Sequence, residues 1–323
     1  MSFPNLSLAQ SNRFQKLGIN LNPWSEEQIN FWKRIYTEFS TEDYVIHDSM
    51  NLDKVYAVAS SEKSASEKKS ELRKSLPAPE AERLRTQLGQ KDRIDEAKSI
   101  SIHFFARMEE MLEEEGVPKV LARLPFVESG FNQNAKSSVG AIGIWQFMPK
   151  TAIRDLRVDS AIDERYDPLK STRAAAKFLK RNEALLKNWG LAIMAYHQGP
   201  GLVLKAVKQC NTSDPIQIIR FFKDSNFQFA SRNYLFEFLA MTEVQIQHEE
   251  QKLPNFITVS FPKKLSLLSL LKHYHLSEKD ARLLNPHFRA PIWAGKAFIP
   301  AHYPVRLGGI TLEEFHHLQY PAD

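Results

Sequence analysis

Cysteine is almost missing from this chain: Cys210 stands alone among 323 residues, so no intrachain disulfide can form and no thiol pair can hold a metal. A reducing compartment is permitted by this but not required, because a chain of this length buries enough core to fold without covalent staples. Glycine is scarce as well, at 12 residues, which favours helices over a loop-rich β architecture. No run of 18 apolar residues occurs, which excludes a membrane-spanning helix within the chain. The opening stretch, MSFPNLSLAQSNR, has neither a basic n-region nor an apolar h-region. There is no glycine-rich phosphate loop, no Ser–His–Asp order and no zinc-ligand spacing. His273, His275, His316 and His317 lack ligand spacing with a supporting carboxylate, so no metal or other cofactor is expected.

What is present describes an ordinary globular protein, 43% hydrophobic and 25% charged, long enough for one large domain and a smaller one. The net charge of +5 and a pI near 9.1 suit an anionic partner, whether nucleic acid, an acidic surface or a glycan. Charge alone does not choose among these.

The first segment mixes aromatic and aliphatic residues. Ser25, followed by Glu26 and Glu27, predicts a helix start with an N-cap and first-turn acids, and Phe31, Ile35 and Phe39 recur every four residues as one packing face. Residues 59–76 are serine-rich and charged, and read as a linker or a solvated helix ended by Pro77 and Pro79, with a helix restarting at Glu80. From Ile94 to Glu115 the apolar positions follow a 3.6-residue period. Gly116 ends that helix, and a shorter one carrying Leu121 and Leu124 delivers Glu128 close to its C-terminal end, where Ser129–Gly130 breaks it. Further helices are predicted over 147–156, 170–188, 191–198, 202–209 and 232–248.

Glu128 is the most informative residue. It lies in LPFVESGFNQNAKSSVGAIGIWQFMPKTA, residues 124–152, and no other carboxylate occurs from Ser129 to Arg154. Phe131, Ile142, Ile144, Trp145, Phe147 and Met148 crowd the same segment. A lone acid among apolar side chains is poorly solvated when charged, so its pKa is expected to rise from about 4.3, which suits a general acid. The nearest downstream acids, Asp163, Glu164 and Asp167, surround a YDP turn and read first as caps and loop structure, so the second carboxylate of an ordinary glycosidase pair is missing.

The motif ES-GFN, a serine nine residues after the glutamate, and then GIWQFMP resembles the catalytic domain of lytic transglycosylases, within the wider group that includes goose-type lysozyme. DERYDPLKSTRAAAKFL (163–179), LAIMAYHQGPG (191–201) and FASRNYLFEFLA (229–240) follow in the same order over roughly residues 90–250, and the membrane-bound lytic murein transglycosylase D type is the most similar subgroup. The resemblance implies a mainly α chain. Residues 1–88 are expected as a helical N-terminal extension with a charged linker at 59–76, 89–250 as a lysozyme-like catalytic domain, and 251–323 as a small βααβ module with a tail. That module, with strands expected at Phe256–Phe261 and Ala297–Ile299 and helices at Ser266–His273 and Glu278–Leu284, is similar to a LysM carbohydrate-binding module. It departs from the pattern where Pro262–Lys263–Lys264 replaces the usual glycine–aspartate turn.

The resemblance also implies a chemistry. Glu128 protonates the oxygen between N-acetylmuramic acid and N-acetylglucosamine, the muramic N-acetyl carbonyl shields the developing cation, and Glu128 then takes the proton from that sugar's O6 hydroxyl, closing a 1,6-anhydro ring. Ser137 matches a serine that hydrogen-bonds the substrate's acetamido group or a nearby hydroxyl, Gln146 a glutamine facing the sugar, and Tyr196 a tyrosine that helps align the acetamido group. Trp145 and Phe147 are candidates for stacking on a sugar face, with one of the pair expected in the core, and Tyr234 for touching glycan or peptide stem beside Arg232 and Asn233. His197 stands where relatives have asparagine, which puts the local hydrogen bonds and the preference for acetylated sugars in doubt.

The expected partner is therefore the peptidoglycan glycan strand rather than nucleic acid, and the chain is expected to work as a monomer. Export to the periplasm or cell envelope follows, with a secretion signal already removed ahead of Met1. Two other readings stay open: a hydrolytic muramidase using a water held by Asp163 or Glu164, and a non-catalytic wall-binding protein.

Overall fold

A computed structural model of the chain describes residues 13–246 and 256–318. It is mainly helical with two small sheets. In chain order come α1 (Pro23–Thr37), β1 (Tyr44–Asp48), β2 (Val55–Ala59), α2 (Glu62–Ser75), α3 (Ala78–Arg83), β3 (Leu84–Leu88), α4 (Lys91–Ser101), α5 (Phe105–Glu114) and α6 (Leu124–Ser129). There follow α7 (Pro149–Ala152), α8 (Pro168–Leu186), α9 (Trp189–Gln198), α10 (Pro200–Cys210), α11 (Pro215–Phe221) and α12 (Phe229–Glu243). The C-terminal part holds β4 (Phe256–Val259), α13 (Leu267–His273), α14 (Glu278–Leu284), α15 (Ala290–Trp293), β5 (Val305–Gly308) and α16 (Leu312–His317).

Several boundaries differ from the sequence reading for identifiable reasons. The first helix starts earlier than Ser25 because Asn22 is the cap. Its side chain accepts from the Ser25 amide while the Ser25 hydroxyl accepts from the Asn22 amide, and Pro23 fills the first helical position. The single helix expected over 94–115 is two, broken at Ile102–Phe104, where β-branched and aromatic residues are weak helix formers. Of the two readings for 59–76, the solvated helix is the observed one: α2 is capped by Ser61, and Ala65 is its buried residue. The tail of the helix expected over 232–248 includes residues 247–248, which lie outside the described residues.

The described residues form two compact units, 13–99 with 177–246 and 100–176 with 256–318. In the first, α1 packs along α12: Trp32 Nε1 donates to Asn233 Oδ1 at 3.0 Å, and Trp24 meets Phe236 edge-on with centroids 5.5 Å apart. At one end Arg13 bridges Glu26 and Glu243 at 2.6 Å each. The segment expected to be a helical extension also contains a three-stranded antiparallel sheet in the order β2-β1-β3, with Tyr44 opposite both Ala59 and Leu88. The central strand is almost wholly buried, and its His47 sits between Phe31 and Phe229.

In the second unit an aromatic run, Phe105, Phe126 and Phe131, backs the segment leading to Glu128, with successive ring centroids 6.0 and 5.1 Å apart. Residues 256–318 pair β4 antiparallel with β5, Ile257 opposite Leu307, around a core that includes Leu267, Leu270, Phe288, Ile292 and Val305. The expected strand at Ala297–Ile299 is instead one bridge between Leu265 and Ile299. Pro300 follows immediately and has no N–H to continue a ladder, so the second strand forms only at 305–308. Ile162 joins this same core, and His287 O accepts from the Asp163 amide at 2.9 Å.

Candidate active site

Glu128 is the penultimate residue of α6, a six-residue helix whose end is built by a glycine. Gly130, at φ 59°, takes the left-handed conformation and donates back to Phe126 and Pro125. Phe131 also has a positive φ of 59° and is fully buried, so its ring packing holds a backbone shape that non-glycine residues rarely adopt. Glu128 itself is half-buried. The next residue fastens the helix end to the following loop: the Ser129 hydroxyl lies 3.1 Å from Pro125 O and 3.0 Å from Ile144 O.

That loop, residues 135–147, is a compact turn closed by paired backbone bonds between Ile142 and Phe147 at 3.2 and 3.1 Å and by Gly143 N to Ala135 O at 3.0 Å. Ser137 Oγ accepts from the Ala141 amide at 2.9 Å, which leaves the hydroxyl proton to donate elsewhere. Gln146 adopts φ 48°, and its Nε2 donates to Gly143 O at 2.8 Å, leaving the amide oxygen as an acceptor on a half-buried side chain. Gly143 is required sterically: a Cβ there would lie 1.9 Å from the carbonyl oxygen of Arg165.

Trp145 offers no face for stacking. It is fully buried, and its indole N–H donates to Thr172 Oγ1 at 2.9 Å, so this aromatic is core rather than sugar platform. Phe147 is buried too, at 4% exposure. Glu128, Ser137, Trp145 and Gln146 belong to the second unit, whereas Tyr196, His197 and Tyr234 belong to the first. Tyr196 is half-buried with its ring edge-on to Phe178 at 5.4 Å. His197 reaches solvent but lies flat on Tyr234, with centroids 4.5 Å apart and planes 18° apart. Burial of that stacked face lowers the His197 pKa from the usual histidine value, which favours the neutral ring. Tyr234 is itself buried at 4% exposure and serves as the support on which His197 rests. Asn233 bonds Trp32 and Phe229 O, and the Arg232 guanidinium donates to Ile219 O and Phe222 O at the end of α11; both are tied up in packing.

The three downstream acids are all occupied. Asp163 forms a two-pronged buried pair with Arg165 at 2.9 and 2.8 Å. Burial alone would raise Glu164, but the Arg157 amide, Lys170 and the Tyr303 hydroxyl outweigh it and hold its pKa below the usual value. Asp167 is fully buried; burial opposes its charge, yet Arg306 at 2.6 Å and His287 at 2.8 Å keep it far below the carboxylate range. In this cluster Arg306 supplies the positive charge, while burial keeps His287 neutral, donating from Nδ1. Gly143 and Arg165 therefore shape the loop without having been singled out from sequence, and Ser129, read only as part of a helix break, also ties the helix end to it. An arginine between two acids beside the YDP turn is the one visible signal for this.

Residues 106–219 match the family described as Transglycosylase SLT domain. Over 94 residues the chain is 39% identical to membrane-bound lytic murein transglycosylase D of Escherichia coli (strain K12), covering 28% of this chain and 21% of that protein. Over 152 residues it is 31% identical to membrane-bound lytic murein transglycosylase C of Glaesserella parasuis serovar 5 (strain SH0165), covering 40% of this chain and 39% of the relative. The chain thus spans well under half the length of either relative. A solved structure of an inactive mutant of the lytic transglycosylase Slt from Pseudomonas aeruginosa is 24% identical over 42% of this chain and 23% of that one, with a TM-score of 0.35. The span matched by the Transglycosylase SLT domain model, residues 106–219, holds Glu128, Ser137, Trp145, Gln146, Tyr196 and His197.

Proposed function

We propose that the chain is a peptidoglycan lytic transglycosylase of the cell envelope, cleaving the bond from N-acetylmuramic acid to N-acetylglucosamine with formation of a 1,6-anhydro end, and that Glu128 is its single acid and base. One observation carries the single-carboxylate form of this reading: Asp163, Glu164 and Asp167 are each locked to cations, hydroxyls or backbone amides. An acid so engaged is badly placed to hold and activate a water, which the two-carboxylate hydrolytic route demands. A half-buried Glu128 at a rigid helix end suits proton delivery to a glycosidic oxygen.

In this scheme the Glu128 proton passes to the bridging oxygen as the muramic C1–O bond breaks, and the N-acetyl oxygen shares the charge at C1. The Glu128 carboxylate then removes the O6 proton while O6 bonds to C1. The acid is regenerated and no water is consumed. Ser137 donates its hydroxyl proton and Gln146 offers its amide oxygen to the sugars, while Tyr196, His197 and Tyr234 are candidates for substrate contact on the resemblance alone. The glycan strand is the partner, and a monomer suffices. No described helix is long and apolar enough to cross a membrane, and both relatives are named membrane-bound, in keeping with work at the envelope.

The test is digestion of purified sacculi with mass analysis of the released muropeptides. The parent should yield products one water lighter than hydrolysis gives. Glu128→Gln, folded by circular dichroism, should lose roughly 10²–10⁴-fold in rate. Water-added products would transfer the assignment to a muramidase, and undiminished digestion by the variant would remove Glu128 from the chemistry.

A further inference from the structure

Arg165 is 5% exposed, and its guanidinium serves two masters within the second unit. Nε and Nη2 take both carboxylate oxygens of Asp163, the two-pronged geometry that fixes a guanidinium plane. Nη1 faces the loop and donates to Gly140 O at 3.1 Å and Phe147 O at 3.2 Å. Those carbonyls bracket the turn that ends in Gln146, and Gly140 is bonded back to Ser137 O at 3.1 Å. A third contact is backbone against backbone, since Gly143 presses so close to Arg165 O that no side chain fits. One residue therefore grips the loop at 140, 143 and 147.

Its own segment is held from residues 256–318. His287 O accepts from the Asp163 amide at 2.9 Å, Tyr303 donates to Glu164 at 2.6 Å, and His287 and Arg306 clamp Asp167. We propose that Arg165 is a positioning residue that fixes the Ser137–Gln146 turn for catalysis, and that residues 256–318 act as the brace holding Arg165 in register. The catalytic half of this inference rests on the function proposed above; the mechanical half does not.

Lysine separates the roles. A single ammonium can answer Asp163 but cannot also span Gly140 O and Phe147 O, so Arg165→Lys keeps the charge pair and releases the loop. In the full chain this variant should speed hydrogen exchange of the amides in 137–147 by about tenfold or more, the scale expected for losing charge-assisted bonds to two carbonyls. The digestion kcat should fall by a similar factor while binding to sacculi, read by co-sedimentation, stays within about twofold. Asp163→Asn, which keeps the carbonyl bonds but weakens the anchor, should move both readouts the same way to a smaller extent, and serves if the lysine variant does not fold. Unchanged exchange in 137–147, or a rise shared equally by the whole chain, overturns the proposal. So does lost activity matched by lost binding. Glu128→Gln measured alongside keeps the two readings apart: if it stays active the functional reading fails, whereas the exchange result still judges the positioning role.

Discussion

At the scale of single residues, the proposed acid stands out because its surroundings are written locally: a glutamate with no carboxylate for the following stretch, set among aromatic and aliphatic side chains. What could not be read was which neighbours are scaffolding. Trp145 and Ser129 reveal their partners, Thr172 and Ile144, only once the chain has folded. Gly143 likewise looks like one loop glycine among several until the Arg165 carbonyl is seen beneath it. Gly143→Ala places a methyl against that carbonyl at φ 78°, and we expect it to cost about 2–4 kcal/mol, from combined strain and overpacking. Urea unfolding would show this as a lowered midpoint, accompanied by reduced digestion. A variant as stable as the parent would mean the turn relaxes freely.

Among the elements, helices with clear caps and periodicity were readable, including the short helix bearing Glu128 and the two in the C-terminal part. The three-stranded sheet was not. Its strands are five residues each, and β1 pairs with β3 some forty residues away, a separation that no local pattern encodes. The helix α8 illustrates how an element serves the loop it faces: Thr172 in its second turn accepts the Trp145 indole N–H and itself bonds Pro168 O at 2.6 Å. Thr172→Val keeps the shape but removes that acceptor, and we expect a loss of about 1–2 kcal/mol. Near-ultraviolet circular dichroism should register the altered indole environment; a spectrum and a melting curve identical to the parent's would show that the bond contributes nothing.

On the scale of the whole molecule, composition pointed correctly to a mainly helical protein, but the grouping of segments into two units interleaves the chain and follows contacts rather than order. Stability of the first unit should carry an acid signature. His47 is fully buried, and desolvation lowers its pKa to about 4 from an unfolded value near 6.5. The unfolded chain binds this proton first, so the stabilisation is complete above pH 6.5 and is lost as pH falls from there to about 4, amounting to about 3 kcal/mol. Unfolding midpoints measured across that window should fall in the parent and fall less steeply in His47→Gln; equal slopes would assign the acid sensitivity to other groups.

The buried Asp167 has one further consequence, for anyone who would trim this protein to the part that matches the SLT domain model. A cut after residue 250 would strip away Arg306, the counter-ion of the Asp167 carboxylate, together with the His287 N–H that also bonds it, while laying Ile162 bare to water. The terminal segment is thus less a passenger than a keystone, and a shortened chain would have to carry it along or replace that carboxylate with something that needs no company.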